Sequence, residues 1–408
     1  MKFHKRWYII FPLALLALSL QSCLGLGGGG SSTSSNFQTK STANGTTIGI
    51  NQTAQAVFKG KIYFTLNRNL YVLDGTRNVT QLTHGMDVRD PAVSPDGKWI
   101  AFTRWFKDYS DLMLMPASGG APRVLRSGNG TFVNNPGFAP KATYFWYAQP
   151  AWAPDSEHLL FVSDLDKFNI IPGVDAFQLD PEIFSISIND PAATPQKVAY
   201  STYGDGGLRD PAYRPGHPDQ IIYTDFRYDQ SQTKQVIQLY LEDPNAIANN
   251  PGKYRPGING LEFDPAVALT PDTPDLTNME PAWSPDGNAI AYIRRSGADG
   301  MGLFVMPAPA DAATLVADPN NATSQKQALG SYPESSQIVT GLYVSQPVWS
   351  PDGKQIAYIG YANQVFDIWL ANVSRDPKTG RYSLKGSPVQ LTNAGGHLDA
   401  DSRPFWTL

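Results

Sequence analysis

Cysteine and histidine are scarce in this chain. Its 408 residues include one cysteine, Cys23, and five histidines. A single cysteine excludes a disulfide within the chain. Four of the histidines follow residue 22, and the strand pattern described below puts them on opposite faces of the fold, where they cannot converge. The sequence also lacks a Gly-x-Ser-x-Gly elbow, a His-Glu-x-x-His helix and a glycine-rich phosphate loop. We therefore predict no catalytic residue, no metal ligand and no cofactor.

Basic clusters are missing as well. The chain has 32 Lys and Arg residues against 36 Asp and Glu residues. Three of the basic residues, Lys2, Lys5 and Arg6, stand at the N-terminus before Trp7. Without them, the rest of the chain has a still larger excess of acidic over basic residues. Nucleic acid binding needs clustered positive charge to neutralise phosphates. Nucleic acid is therefore excluded as an expected partner.

One long apolar run stands at the N-terminus, from Trp7 to Leu20, and no second one follows. Behind a basic start, a run of this length predicts a secretory signal over residues 1–22. The run ends in Leu20-Gln21-Ser22-Cys23, which resembles the lipobox of bacterial lipoproteins. That resemblance implies cleavage before Cys23, acylation of its thiol and anchoring to a bacterial membrane on the periplasmic side or at the cell surface. The alternative is an ordinary signal peptide with an incidental cysteine.

A low-complexity stretch follows Cys23. It begins with a run of glycines at residues 27–30 and continues rich in Ser, Thr and Asn. Such a composition predicts a flexible tether over residues 23–56. We expect the folded part to cover residues 57–408.

A short phrase recurs through the folded part and predicts its architecture. Its first prolines are spaced 59, 61, 70, 66 and 57 residues apart, an interval that indicates stacked supersecondary units. The clearest copy is Glu280-Pro281-Ala282-Trp283-Ser284-Pro285-Asp286-Gly287. The other copies start at Asp90, Gln149, Asp210, Gln346 and Arg403.

Each unit is typical of four antiparallel strands. The phrase forms the first strand, and its Asp-Gly predicts a hairpin turn in which both residues have positive φ. The last copy, Pro404-Phe405-Trp406, has no later strands, and Lys61-Ile62-Tyr63-Phe64 is a second strand without a first. Joining them gives one blade from one C-terminal and three N-terminal strands, which removes exposed edges. We predict an all-β, six-bladed β-propeller of four-stranded antiparallel blades.

The phrase and the strands that follow it resemble the repeat of TolB-type β-propellers, which also occurs in the propellers of prolyl oligopeptidase relatives. The resemblance covers roughly residues 57–408 and implies the fold. It implies little about activity, because this propeller supports many functions. The N-terminal α/β domain of TolB and the hydrolase domain of the peptidases have no counterpart in the sequence, so neither role is carried over.

Two groups of residues are candidates for binding. The residues before the first prolines should stand near the mouth of the central channel: Asp90, Gln149, Asp210, Glu280, Gln346 and Arg403. The long insertions share one face of the propeller, and one of them carries Phe132, Phe138, Tyr144, Phe145, Trp146 and Tyr147. From this group Phe145 and Trp146 are the predicted contacts. The alternatives are that the polar residues only cap strands and bind channel water, and that the aromatics form a local core.

Two classes of function remain open. The first is a monomeric, non-catalytic scaffold in the cell envelope that binds an envelope protein, a peptide or a carbohydrate. The second is a hydrolase or lyase that acts on a sugar or lactone with channel carboxylates. The second class requires carboxylates in one pocket with shifted pKa values.

Overall fold

The computed structural model describes residues 36–42, 45–130, 132–133, 141–142, 144–165, 180–201, 206–229, 231, 233–254, 256–257, 260–261, 265–298 and 300–408. The predicted signal and Cys23 lie outside these residues, as do Phe138 and the side chain of Phe132. Within the described part, no helix has the length and apolar character needed to cross a bilayer.

The chain forms a β-propeller built from antiparallel sheets. The strands up to the third blade are β1 (Phe37–Ser41), β2 (Thr47–Asn51), β3 (Lys61–Leu66), β4 (Asn69–Asp74), β5 (Val79–Gln81), β6 (Val88–Val93), β7 (Trp99–Trp105), β8 (Ser110–Pro116), β9 (Arg123–Ser127), β10 (Phe132–Val133), β11 (Lys141–Ala142), β12 (Tyr147–Trp152), β13 (His158–Ser163), β14 (Glu182–Ser187) and β15 (Gln196–Ala199).

The later strands are β16 (Gly207–Arg214), β17 (His217–Tyr228), β18 (Gln235–Glu242), β19 (Pro256–Gly257), β20 (Gly260–Leu261), β21 (Ala266–Ala268), β22 (Met279–Trp283), β23 (Ala289–Arg295), β24 (Met301–Pro307), β25 (Ser336–Gly341), β26 (Val344–Trp349), β27 (Gln355–Ala362), β28 (Val365–Arg375), β29 (Tyr382–Leu384), β30 (Val389–Gln390), β31 (Thr392–Asn393) and β32 (Phe405–Thr407). Among the described residues, the short α-helices α1 (Ala246–Asn249), α2 (Ala312–Ala317) and α3 (Ala322–Ala328) lie between strands.

The predicted number of blades is wrong: the described residues form seven sheets of three or more strands rather than six. Blades 1 to 6 have four or five strands, in the orders β32-β3-β4-β5, β6-β7-β8-β9, β12-β13-β14-β15, β16-β17-β18-β21, β22-β23-β24-β25 and β26-β27-β28-β29, with β30 also on β28. Blade 7 has three strands, β1-β2-β31.

Blade 7 was missed because it carries no copy of the repeated phrase. Two of its strands come from residues 37–51, in the range that composition assigned to the tether. They are held by pairing with a distant segment, since Gly49 lies opposite Asn393 and Ile50 opposite Thr392. Ile48 and Ile50 are fully buried in the core that joins blades 6 and 1. Blade 7 therefore covers the junction at which the ring closes.

Closure by the C-terminal strand is present in the structure. β32 pairs with β3, so that Trp406 lies opposite Ile62. The indole N–H of Trp406 donates to the carbonyl of Lys59 at 2.7 Å, and its ring packs edge-on against Phe58 with centroids 5.8 Å apart. The inner strands contact one another in the order β32, β6, β12, β16, β22, β26 and back to β32. They surround a central channel.

The repeated Trp links neighbouring blades. The indole N–H of Trp152 donates to the carbonyl of Ala92 in the preceding blade at 2.9 Å. The same bond joins Trp283 to Ala212 at 3.3 Å and Trp349 to Ala282 at 3.1 Å. The accepting carbonyl belongs each time to the Ala of the phrase. A buried indole usually finds such a partner, so the phrase encodes the joint between blades.

The Ser-Pro-Asp-Gly segments form a different turn from the one predicted. Only the glycine has positive φ, 72° at Gly97 and 68° at both Gly287 and Gly353. The N–H of Gly97 donates to the carbonyl of Ser94, and the hydroxyl of Ser94 donates to Asp96 at 2.6 Å. A type I turn followed by a left-handed glycine fits these facts. We call the side of the propeller that carries these turns, at Pro95–Gly97, Pro285–Gly287 and Pro351–Gly353, the turn face.

Candidate binding site in the central channel

The residues before the six prolines converge on the channel and are joined by hydrogen bonds. Asp90 accepts the main-chain N–H of Arg403 at 3.0 Å and that of Gln149 at 3.3 Å. The amide of Gln149 pairs twice with Asp210: its Nε2 donates to Oδ1, and its Oε1 accepts the main-chain N–H, both at 2.8 Å. These bonds connect blades 1 to 4.

The remaining contacts close the circle. Thr224 on β17 donates to Asp210 at 3.2 Å and accepts the N–H of Glu280 at 3.1 Å. Glu280 in turn accepts the N–H of Gln346 at 2.5 Å, and Gln346 Oε1 accepts Arg403 Nε at 3.2 Å. We call these six residues, with Thr224, the polar ring. Thr224 was not predicted, because it lies on a second strand rather than in the phrase.

A left-handed backbone aims these side chains inward. The φ angle is 50° at Asp90 and at Gln149, 57° at Asp210, 55° at Glu280 and 52° at Gln346. The strand register shifts at the same place, for example between Arg89 and Ala92. This is the geometry of a β-bulge, which kinks a strand and redirects a side chain. Such angles are costly outside glycine, and their recurrence in five blades indicates that the ring is part of the architecture.

Arg403 reaches across the channel. It lies at the start of blade 1, and its Nη2 is 3.3 Å from Asp210 Oδ1 in blade 4, on the opposite side of the ring of inner strands. Nη2 is buried and is within ion-pair distance of Asp210, but it is not in hydrogen-bonding geometry with any partner. The guanidinium therefore spans the channel at the level of the polar ring and links blade 1 to blade 4.

Two ring carboxylates hold protons more tightly than usual. Burial is the main cause that raises the pKa of Asp90 to about 6, and the charge of Asp210 adds to it. Burial and the charge of Asp210 together raise the pKa of Glu280 to about 7. Both carboxyls can therefore exchange protons near neutral pH, a property found at many functional sites.

An apolar cavity of about 740 Å³ lies on the turn-face side of the polar ring. Asp90, Gln149 and Arg403 form its polar end. Its walls are the phrase prolines and their neighbours, which include Pro91, Ala92, Pro150, Ala151, Pro211, Ala212, Pro281, Ala282, Pro347, Val348 and Pro404, and its lining extends to Pro95, Pro154, Pro215, Pro285 and Pro351 beside the turns. The cavity is thus a cup whose polar end is the ring and whose mouth lies at the turn face.

Phe145 and Trp146 lie elsewhere. They precede β12 on the opposite side of the propeller, which we call the loop face and which carries the hairpin tips at Asn67–Arg68, Phe106–Tyr109 and Asn363–Gln364. Phe145 packs against the core between blades 2 and 3. The N–H of Trp146 donates to Asp164 at 2.8 Å, and its ring meets the edge of Trp105 at 5.1 Å. The structure therefore places the predicted site residues in two separate regions, the channel and the loop face.

The described residues contain no group of three or more His, Cys, Asp and Glu side chains arranged to hold a metal ion.

The fold is similar to that of known propellers. TolB from Acinetobacter baumannii aligns with a TM-score of 0.51 and 16% identity, covering 85% of this chain and 66% of that one. A putative TolB from Agrobacterium tumefaciens aligns with a TM-score of 0.44 and 16% identity over 85% of this chain and 96% of that one. The fold is that of a TolB-like β-propeller.

An oligogalacturonate lyase in complex with manganese is also similar to this TolB-like propeller, with a TM-score of 0.45 and 15% identity over 85% of this chain and 82% of that one. No family model and no curated protein matches the sequence. The chain spans about two thirds of the length of the Acinetobacter TolB. At these identities the similarity concerns the fold.

Proposed function

We propose that this chain is a lipid-anchored, extracytoplasmic protein of the bacterial cell envelope that binds a ligand in its channel cavity without catalysing a reaction. The observation that carries the proposal is the cup itself. A concave, mainly apolar site with a few polar groups at one end is the usual form of a binding pocket, and about 740 Å³ is within the usual size range.

The hydrogen bonding of the polar ring supports binding rather than catalysis. Both oxygens of Asp90 accept main-chain N–H groups, and both oxygens of Asp210 accept side-chain donors. Glu280 accepts from Gln346 through both oxygens. These carboxylates join blades, so their positions are constrained by the architecture. The guanidinium of Arg403 lies at the polar end of the cavity and is the cationic group there that can orient a ligand.

A peptide segment of an envelope protein fits the cup best. Its apolar side chains would pack on the proline-rich wall, and a carbonyl oxygen would approach the Arg403 guanidinium at the polar end. A carbohydrate offers hydroxyl groups to the same polar end but less apolar surface to the wall. We therefore place the peptide ahead of the carbohydrate.

Blocking the cup tests this assignment. Ala282 lines the wall, but its side chain also packs against the core between blades 5 and 6, so Ala282→Trp is compared only after circular dichroism shows a wild-type spectrum and melting temperature. Cells that express tagged wild-type protein or Ala282→Trp would be crosslinked, and captured proteins would be compared by mass spectrometry. We expect the partner to be lost with Ala282→Trp and kept with Asn288→Ala, an exposed change at a turn. If instead Phe145→Ala with Trp146→Ala removes the partner and Ala282→Trp does not, the loop face is the binding surface.

The anchor is tested at Cys23. Cys23→Ser should move the protein from the membrane fraction to a soluble or uncleaved form, because the acyl chains supply about 0.8 kcal/mol per buried CH₂. The mature wild-type mass should exceed the peptide mass by the acyl groups. Normal fractionation of Cys23→Ser, with no mass increment in the wild type, would show that the anchor assignment is wrong.

A hydrolase or lyase is the second candidate, favoured by the raised pKa values of Asp90 and Glu280. Two carboxyls that titrate near neutrality suit general acid and base roles. The purified protein would be assayed against a panel of lactones and glycosides with and without added divalent metal. Turnover that disappears in Glu280→Gln would replace the binding assignment with this one.

A further inference from the structure

We propose that the cup binds a peptide segment through a primary ammonium group, which pairs with Asp90 at the polar end of the cavity. The proposal rests on the binding function proposed above and adds the chemistry of the ligand. Among the described residues that line the cup, Asp90 is the one acidic side chain, and it is 8% exposed. A carboxylate buried to this degree needs a positive partner or a proton.

The protein gives Asp90 hydrogen bonds but no positive partner. Its carboxylate accepts the main-chain N–H groups of Arg403 and Gln149 at 3.0 and 3.3 Å, and its own N–H donates to the hydroxyl of Ser402. In the part of the chain that the structure describes, Asp90 forms no ion pair. The guanidinium of Arg403 reaches Asp210 across the channel instead, with Nη2 at 3.3 Å. Asp90 can therefore serve as the counter-ion of a ligand.

Acidic groups outnumber basic groups in the polar ring. Asp90, Asp210 and Glu280 are three carboxyl groups, and Arg403 is the single guanidinium among the ring residues. Arg403 pairs with Asp210 and donates from Nε to Gln346 at 3.2 Å. Glu280 accepts two bonds from the amide groups of Gln346. An excess of buried carboxyl groups favours a cationic ligand over an anionic one.

Two arginines next to the ring have other partners. Arg89 pairs with Asp87 and Asp401. Arg209 donates to the carbonyl of Leu208 at 2.8 Å. Neither arginine is among the residues that line the cup. They therefore leave the excess of acid at its polar end in place.

Arg214, the other basic residue of the lining, lies near the mouth of the cup. It stands four residues beyond Asp210 on β16, about 13 Å along the strand at about 3.3 Å per residue. Its guanidinium donates to Gly287 and to Gln220, both at 2.8 Å. The wall between the two ends is mainly apolar, which suits the methylene stem of a lysine or the aliphatic side chains beside a peptide's α-amino group. The cup thus fits a positive tip with an apolar body behind it.

Binding of the ammonium group should release a proton. Burial is the main cause that raises the pKa of Asp90 to about 6; the charge of Asp210 adds to the shift and that of Arg403 opposes it. A carboxylate oxygen accepts more than one hydrogen bond, so the ammonium group can reach Asp90 while both main-chain donors remain bound. The proton of Asp90 passes to solvent and the ligand keeps its charge. Affinity should therefore increase with pH.

Three small probes that share a six-carbon stem test the charge preference: hexylammonium, hexanol and hexanoate. Each would be titrated into the full-length protein and followed by ligand-observed NMR. We expect hexylammonium to bind about tenfold more tightly than hexanol, because it forms a charge-assisted hydrogen bond, and hexanoate to bind most weakly. The affinity for hexylammonium should rise about tenfold from about pH 5 to about pH 8, whereas the affinity for hexanol should stay constant. Equal affinities for hexylammonium and hexanol would overturn the proposal.

Peptides identify the source of the ammonium group. Three peptides of proline and leucine would be compared: one with a free α-amino group, one that is N-acetylated, and one that is N-acetylated and contains a lysine. Tighter binding of the first indicates a peptide N-terminus, and tighter binding of the third indicates a lysine side chain. If the acetylated peptide without lysine binds as tightly as both others, the ammonium group is not recognised.

Removing the charge of Asp90 should remove the preference. Asp90→Asn, once circular dichroism shows a wild-type spectrum, should bind hexylammonium no more tightly than hexanol and at an affinity that does not change with pH. Asp219→Asn removes the same charge from an exposed position on the turn face and is the matched control. It should keep the wild-type ratio of affinities. An unchanged ratio in Asp90→Asn would contradict the role of this carboxylate.

The outcomes separate the ligand's charge from the binding site itself. If hexanol or hexanoate binds at least as tightly as hexylammonium and this binding is lost in Ala282→Trp, the cup is a binding site but the ammonium assignment is wrong. If no probe or peptide binds, or if folded Ala282→Trp binds them all as the wild type does, the cup is not the binding site, and both proposals are wrong.

Discussion

Replacing Trp406 tests whether the ring is closed by the C-terminal strand. Trp406 is 5% exposed and belongs to the core shared by blades 1, 6 and 7. Truncating a buried Trp to Ala costs about 3–5 kcal/mol of unfolding free energy. The Lys59 carbonyl would also lose its 2.7 Å bond, a cost of about 1–3 kcal/mol if water cannot reach it. Because the two costs overlap, we expect a loss of about 4–5 kcal/mol for Trp406→Ala.

Two further variants make the result decisive. Trp406→Phe removes the N–H and part of the indole but keeps a ring in the core, so its loss should be smaller, about 1–3 kcal/mol. Trp349→Ala removes the matching side chain inside blade 6 and should cost as much as Trp406→Ala. Urea denaturation followed by circular dichroism would measure all three. A loss below about 1 kcal/mol for Trp406→Ala, beside a full loss for Trp349→Ala, would show that closure does not depend on β32.

Three other results are expected. The pKa of Asp90 is raised to about 6 and that of Glu280 to about 7, so the folded protein binds these two protons more tightly than the unfolded chain does. The free energy of unfolding should therefore fall as pH rises from about 4 to 7. A urea midpoint that rises over this range would contradict this expectation. Gly60→Ala should lower the melting temperature far more than Gly353→Ala does. A Cβ at residue 60 would lie 2.0 Å from the Thr407 carbonyl oxygen, whereas the nearest atom to a Cβ at residue 353 is 3.8 Å away. Equal melting temperatures would count against the close approach of residue 60 to β32. Gln149→Ala removes both bonds to Asp210 and should cost about 1–3 kcal/mol in urea denaturation, whereas Gln364→Ala at an exposed tip should cost almost nothing.

The repeated phrase made much of the propeller predictable. Its Pro and Trp positions located the inner strands, the partner of β32 and the convergence of the residues around Asp90 and Glu280. Blade 7 was not predictable, because Ser- and Thr-rich strands around Ile48 form only by pairing with β31, more than 300 residues away. Local composition carries no signal of so distant a partner.

The site was predicted in part. The polar residues were located from their position before each proline, but their left-handed backbone was not, since Gln and Glu carry no preference for positive φ. The cavity was placed by the structure on the turn side of the ring. In the sequence, the prolines and alanines of the cavity wall indicate only strands. The long insertions instead favoured the loop face as the predicted binding surface.

The Trp-to-carbonyl links divide the ring into unequal groups of blades. Trp152 ties blade 3 to blade 2, while Trp283 and Trp349 tie blades 4, 5 and 6 together. Val93 and Tyr213 occupy the Trp position in blades 2 and 4, and Trp406 donates to Lys59 rather than to a carbonyl of blade 6. Among the described residues, no such indole bond therefore crosses from blade 1 to 2, from 3 to 4 or from 6 to 1, and these three junctions are joined by the polar ring and by apolar packing instead. Amide hydrogen exchange should show blades 2 and 3 opening as one cooperative unit and blades 4 to 6 as another, so that the circle parts into arcs rather than unfolding blade by blade.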